Sequence, residues 1–260
     1  MTTELQHWAR FEEAGHTRFG TLADEQITEY RGDMFGAPER TGRVFALSSV
    51  RLLHPTQPTK VIALWNNFAA LGAKLGLAVP QEPLYFLKSP NSYADPGDVI
   101  QQPRSLGKVV YEGELGIVIG RTASAVNEAS ALDHVFGYTC ANDVTEVDIM
   151  NRDASFTQWT RSKGMDSFCP MGPVVATGLD AATLVVTTLV NDELRQNYPV
   201  SDMRFSVARL VSLISHDMTL YPGDVILCGT SIGVGSIKPG SEVTVEIAGI
   251  GRLTNRYHAR

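Results

Sequence analysis

One stretch limits what this chain can become more than any other: Lys108-Val-Val-Tyr-Glu-Gly-Glu-Leu-Gly-Ile-Val-Ile-Gly120. β-Branched and aromatic residues closed by glycines predict a strand. Alternation then puts Glu112 and Glu114 on one face with Val110 and Val118, their carboxylates roughly 6.5–7 Å apart along the strand. At an effective dielectric near 20, two such charges repel by about 2.5 kcal/mol. Burial beside valines costs more still unless a cation or protons neutralise them. A solvated edge strand is the plain alternative, because glutamates are mostly exposed. The apolar flanks and a third carboxylate downstream, Asp143, favour a shared divalent cation.

The donor set says which cation. Glu112, Glu114 and Asp143 offer oxygen only, with no histidine or cysteine in a ligand spacing, which suits Mg²⁺ first and Mn²⁺ second. Three carboxylates leave up to three octahedral positions for water or a chelating substrate. A cation with open positions acts as a Lewis acid on a carbonyl.

Around this stretch the chain alternates short strand-like runs with turns. Residues 1–55 hold pieces such as Thr17-Arg-Phe-Gly-Thr21 and Gly42-Arg-Val-Phe-Ala-Leu47, which predict a small β-rich lead-in. Residues 56–260 form the larger unit. Strands are expected at 60–65, 84–87, 136–145, 183–191, 224–228 and 242–250, with helices at 67–76, 127–133 and 207–215. Residues 151–172 read as a polar, glycine-punctuated loop. Many short strands and few long helices predict a mixed, β-dominated (α+β) fold built as a sandwich or roll.

Several function classes are excluded. A net charge of −6 with no basic stripe speaks against nucleic-acid binding. The N-terminus Met-Thr-Thr-Glu-Leu-Gln-His lacks the basic and apolar regions of a signal peptide, and no apolar run approaches the roughly 20 residues of a membrane span. Three scattered cysteines suit a reducing cytoplasm. Gly229-Thr-Ser-Ile-Gly-Val-Gly235 lacks the ending of a phosphate-binding loop, and Thr230 within it is better placed to hold a small anion.

Four segments, taken together and in order, carry a resemblance. They are Tyr-Glu-Gly-Glu-Leu-Gly-Ile-Val-Ile-Gly, Gly-Tyr-Thr-Cys-Ala-Asn-Asp-Val-Thr, Ser-Lys-Gly-Met-Asp-Ser-Phe-Cys-Pro-Met-Gly-Pro and Pro-Gly-Asp-Val-Ile-Leu-Cys-Gly-Thr-Ser-Ile-Gly-Val-Gly. The chain resembles the fumarylacetoacetate hydrolase superfamily over about three quarters of its length. The resemblance implies a β-roll catalytic domain, a homodimer, and Mg²⁺ or Mn²⁺ held by Glu112, Glu114 and Asp143. It implies 2-oxo acid substrates, often from aromatic catabolism, that chelate the metal through the 2-oxo group and a carboxylate oxygen. Lys163 would bind substrate charge and Thr230 the carboxylate, with Tyr111 and Lys88 as further substrate-binding residues.

Two departures from the family pattern bear on the reaction. Family hydrolases carry Asn-Tyr-x-x-His-x-x-Glu, whose His–Glu pair activates water. Here the stretch reads Asn67-Phe-Ala-Ala-Leu-Gly-Ala-Lys74, with Leu71 and Lys74 at those positions. Starting one residue earlier, at Asn66, gives Ala70 and Ala73. An arginine expected four residues after the metal aspartate is Val147, with Arg152 five residues further on. Losing general-base help costs 10²–10⁴-fold, whereas decarboxylation or tautomerisation mainly needs an enolate stabilised. The expectation is therefore a metal-dependent decarboxylase, isomerase or tautomerase, with Lys163 neutralising charge and Lys74, on a mobile helix, closing over the substrate. The alternatives are a hydrolase drawing its base from His16, His54 or Glu82, and a catalytically silent 2-oxo-acid-binding protein.

Overall fold

A computed structural model describes residues 4–105 and 107–259. Residues 1–3, which begin both the lead-in segment and the stretch read as lacking a signal peptide, lie outside it. Strands dominate. A twelve-stranded sheet runs, across its main path, through Glu39–Ala46, Gln26–Arg31, His16–Ala23, Gln6–Glu13, Cys169–Thr177, Val135–Asn142, Gly113–Ile119, Val225–Leu227, Val61–Trp65 and Leu84–Lys88. A five-stranded sheet runs Glu193–Pro199, Val185–Val190, Glu242–Ile247, Gly251–His258, Val99–Gln101. No helix among the described residues is long and apolar enough to cross a membrane.

The lead-in is a meander of tight hairpins. Ala14 and Gly15, and then Asp24 and Glu25, take positive φ at the two turns, the geometry whose twist matches the flanking strands. Its first strand then pairs with Cys169–Thr177, Gln6 opposite Thr177 and Trp8 opposite Val175. The segment expected as an appendage is thus hydrogen-bonded into the large sheet, close to one of the strands that frame the acidic stretch.

The core explains the acidic strand. Every residue of Gly113–Ile119 is buried. Leu115, Ile117 and Ile119 face the main core with Val186, Val245, Ile247 and Leu253 of the five-stranded sheet. Val118, on the other face, packs with Trp8, Val61, Ala63 and Leu227. Each such aliphatic side chain contributes roughly 1.5–3 kcal/mol on burial, so the strand is anchored from both sides. Glu114 shares the face of Val118, inside an apolar layer.

Three expectations need correction. The stretch 108–120 is not one strand: Val109–Tyr111 belongs to a small separate sheet with Thr145–Glu146 and Gly235–Ser236, and the chain breaks at Glu112. Residues 151–172 are not all loop. They hold the one-turn helix Trp159–Lys163 and the start of the central strand Cys169–Thr177. Pro170, Gly172 and Pro173 suggested a loop because proline cannot donate to a ladder. The sheet accommodates them with a register shift between Tyr138 and Cys140. Finally, the helix at 67–76 is only Ala69–Lys74.

Candidate active site

The break at Glu112 creates the site. Asn142 Oδ1 accepts the Glu112 N–H at 3.0 Å, and the Asp143 N–H donates to the Glu112 carbonyl at 2.9 Å. These two bonds turn the chain out of one sheet and into the next. Gly113 has no room for a side chain here: a Cβ would lie 2.0 Å from Thr188 Oγ1. The Glu-Gly-Glu spacing therefore lets the backbone press against the five-stranded sheet while both glutamates point to the same centre. Carboxylate oxygens of Glu112, Glu114 and Asp143 come within 4.8 Å of one another. That is closer than a regular strand gives, because the bend at Glu112 draws the two glutamates together.

Two buried ammonium groups face these acids. Lys163 Nζ donates to Asp143 Oδ2 at 2.6 Å and Glu112 Oε1 at 2.9 Å. Lys88 Nζ donates to Asp143 Oδ1 at 2.6 Å. Thr145 Oγ1 donates to Glu112 Oε1 at 2.7 Å, and the Gly229 N–H donates to Glu114 Oε2 at 2.7 Å. Glu114 Oε1 is buried and has no hydrogen-bond partner among the described residues. An orphaned carboxylate oxygen in an apolar layer is costly, and it is aligned with two further carboxylates. The donor set and the orphaned oxygen both fit a hard divalent cation.

Electrostatics follow from burial and neighbours. Burial pushes the Glu114 carboxyl well above the usual range, and Asp143 and Glu112 push it further. Burial also raises Glu112, with Lys163 opposing. For Asp143 the burial effect is outweighed by Lys163 and Lys88, which hold it below its ordinary value. Burial pulls Lys163 down, yet Asp143, Glu112 and Glu114 more than reverse this and keep it charged. Solvent reaches the group from one side: the Glu112 side chain is 11% exposed, that of Asp143 0%.

Lys163 is the last residue of the helix Trp159–Lys163 rather than a loop lysine. Ser162 Oγ ties that turn to the Glu146 carbonyl at 2.7 Å. The other expected residues sit at differing removes. Thr230 Oγ1 donates to the Gly113 carbonyl at 3.0 Å and accepts from Gln196 Nε2 at 2.8 Å, one residue from Gly229. The Tyr111 hydroxyl donates to the Gly233 carbonyl at 2.7 Å. Lys88, expected to touch substrate, is spent on Asp143 and the Val144 carbonyl, behind the carboxylates. Lys74 is exposed at the end of its short helix, and among the described residues it makes no contact with the acids. Arg152 pairs with Glu146 at 4.0 Å. Asn142 and Thr145, which hold this geometry, lie in the Gly-Tyr-Thr-Cys-Ala-Asn-Asp-Val-Thr segment but are assigned no role there. Gln196 has no signal beyond Asn191-Asp192, a positive-φ hairpin dipeptide that announces its strand.

Residues 60–257 match the family profile described as fumarylacetoacetate (FAA) hydrolase, C-terminal. The chain belongs to the fumarylacetoacetate hydrolase family. Residues 6–55 match a second profile, Rv2993c-like, N-terminal. Among relatives, this family member is 43% identical over 224 residues to Protein Rv2993c of Mycobacterium tuberculosis, covering 85% of this chain and 83% of that one. It is 40% identical over 200 residues to the mitochondrial oxaloacetate tautomerase FAHD1 of Arabidopsis thaliana, covering 76% and 90%. A 2-hydroxyhepta-2,4-diene-1,7-dioate isomerase from Mycobacterium marinum superposes with a TM-score of 0.90 at 37% identity, covering 98% of this chain and 99% of that one. A fumarylpyruvate hydrolase from Pseudomonas aeruginosa, solved with Mn²⁺ and pyruvate, superposes with a TM-score of 0.73 at 27% identity, covering 79% and 91%. Three of these four relatives are named as enzymes: a tautomerase, an isomerase and a hydrolase.

Proposed function

We propose that the protein is a divalent-metal-dependent enzyme that decarboxylates or tautomerises an enolisable 2-oxo acid. One observation carries this: three buried carboxylates converge, a buried oxygen of Glu114 has no partner among the described residues, and the charged Lys163 bonds Glu112 and Asp143. Glu112, Glu114 and Asp143 would hold Mg²⁺ or Mn²⁺. When bound, the cation supplies Lewis-acid polarisation of the 2-oxo group.

The chain's own residues do the rest. Lys163 presents a fixed positive charge to the electrons released when a C–C or C–H bond at C3 breaks, and such preorganised charge is worth most in a site closed to water. Thr230 would exchange its donation to the Gly113 carbonyl for the substrate carboxylate, while Gln196 keeps its oxygen in place. Tyr111, through Gly233, braces the loop that carries Thr230. Lys88 holds Asp143 in register. Lys74, exposed at the end of Ala69–Lys74, is free to approach the mouth of the site.

Hydrolysis is less well served. It needs a base for water, and Leu71 supplies none. His16 bonds the Ala14 carbonyl on an exposed hairpin, and His54 is tied to Asp95 at 2.7 Å. Glu82 is exposed before Leu84–Lys88. A silent binding protein would retain an orphaned carboxylate oxygen at a standing cost. The homodimer that the resemblance implies is part of the same proposal, and light scattering reads it. For the reaction, oxaloacetate and a panel of 2-oxo acids are incubated with Mg²⁺ or Mn²⁺ and products resolved by mass. Carbon dioxide or an unchanged formula, abolished by EDTA and restored by metal, is expected. Two organic acids would mean hydrolysis, and no EDTA-reversible turnover would end the proposal.

A further inference from the structure

Beside the acidic centre lies a cleft of about 400 Å³ lined by Trp65, Pro83, Leu84, Tyr85, Phe86 and Trp159. Its position follows from strand register. Gly116 pairs with Leu227, Leu227 with Ala63, and Ala63 with Phe86, so all four share one sheet face. Two residues along their strands, Glu114 and Trp65 lie on that same face. Their strands are separated by one other, which puts them roughly 10 Å apart at ~4.8 Å per strand. Gly229 lies between, its N–H on Glu114 and the space a Cβ would take 3.1 Å from the Leu64 carbonyl.

Side chains close the link. Trp159 and Lys163 are four apart on one helix and so share a side of it. Phe86 lies under both: Lys163 Nζ is 5.2 Å from its ring centroid, and the Trp159 ring stacks on it at 5.1 Å and 17°. Trp65 meets Trp159 at 5.6 Å, tilted 55°. All three rings are only partly buried, so they wall the cleft rather than fill a core.

The chemistry of the lining is one-sided. None of the six residues is a cation, and the hydroxyl of Tyr85 is already given to Asp217 Oδ2 at 3.0 Å. A second substrate carboxylate placed here would be desolvated with no cation in the lining to pair it. A flat, uncharged group would instead meet aromatic faces on several sides, the arrangement in which ring contacts add to burial.

We infer that the substrate's tail is planar and uncharged, an aryl or conjugated alkenyl group on a 2-oxo monocarboxylic acid, and that Trp65, Phe86 and Trp159 receive it while the oxalyl head sits at Glu112, Glu114 and Asp143. This rests on the 2-oxo acid proposal above and narrows it. Phenylpyruvate and oxaloacetate share the oxalyl head and differ in tail, phenyl against carboxylate. With Mg²⁺ present, kcat/KM for enol–keto interconversion of each is measured in wild type, Trp65→Ala and Trp65→Phe.

Wild type is expected to prefer phenylpyruvate, Trp65→Ala to lower the ratio of the two kcat/KM values about tenfold, mainly through KM, and Trp65→Phe to keep most of it. A ratio indifferent to Trp65→Ala, or a wild type that favours oxaloacetate, overturns the inference. Calorimetric titration of both acids separates it from the parent proposal. If neither acid is turned over, the reaction is wrong. The cleft then stands only if phenylpyruvate binds more tightly than oxaloacetate and loses that advantage in Trp65→Ala, and equal affinities dismiss it. Thermal melts confirm that both variants fold.

Discussion

Replacing Lys88 by methionine tests the electrostatic design of the centre. Lys88 and Asp143 have fully inaccessible side chains, with Nζ 2.6 Å from Oδ1. Three carboxylates against two ammonium groups leave the ionised cluster with one net negative charge, and Lys88→Met doubles it. Methionine keeps the length and apolar volume, so the loss is charge rather than packing. Removing one partner of a buried pair costs about 3–5 kcal/mol, because the other charge is left uncompensated. For a chain of this size each kcal/mol shifts Tm by about 2–4 °C, so the metal-free variant should melt roughly 10 °C below wild type. Mg²⁺ or Mn²⁺ restores positive charge at the same carboxylates and should narrow that gap, since a ligand that binds only the folded state stabilises it. The assay is thermal unfolding by circular dichroism in EDTA and in millimolar metal. A variant that melts within about 2 °C of wild type in EDTA, or one that folds normally and loses only substrate affinity, would return Lys88 to the substrate and refute its place behind Asp143.

Other outcomes follow from the same geometry. Glu114→Gln keeps the shape and the Gly229 contact while removing a desolvated carboxyl; calorimetry should show metal affinity down at least about 100-fold with metal-free stability undiminished, and intact affinity would count against Glu114 as a ligand. Lys163→Met should lower kcat about 10²–10³-fold, with Lys163→Arg failing to rescue it, because a planar guanidinium does not fit between Glu112 and Asp143; full activity in either would remove Lys163 from catalysis. Gly113→Ala forces a Cβ to within 2.0 Å of Thr188 Oγ1 and should cost about 1–3 kcal/mol in urea unfolding, together with metal affinity; a neutral result would mean the backbone there yields freely. Burial raises the Asp95 carboxyl, but hydrogen bonds from His54 and the charges of His54 and Arg51 outweigh it and hold it below its ordinary 3.8. Its folded pKa being depressed, its stabilisation is complete above that ordinary value and is lost as pH falls through the folded one; Asp95→Asn should flatten the acid limb of the urea-midpoint curve below about pH 4, and an unchanged limb would exclude Asp95 as its source.

The sequence by itself singled out the three carboxylates that the fold brings together. Glutamates two apart in an apolar run, with Asp143 just past the end of a neighbouring strand, are legible because apolar patterning is local and because buried charge demands a counter-charge. The β-dominated class was legible for the same reason, from short apolar runs closed by turn residues. Only the tertiary structure decided how the centre is assembled. The bend at Glu112 depends on Asn142 and Asp143, 30 residues away for Asn142, and no local pattern announces it. Trp159–Lys163 is a single turn, too short to show an apolar stripe or to nucleate alone, and it exists because Ser162 and the two acids hold it. Cys169–Thr177 is a strand despite its prolines because neighbours on both sides supply the pairing that its own composition disfavours. Contacts distant in sequence cost chain entropy that only a completed core repays, and so the pairing of Lys88 with Asp143, the role of Gln196 and the aromatic cleft became visible only once the sheets had closed.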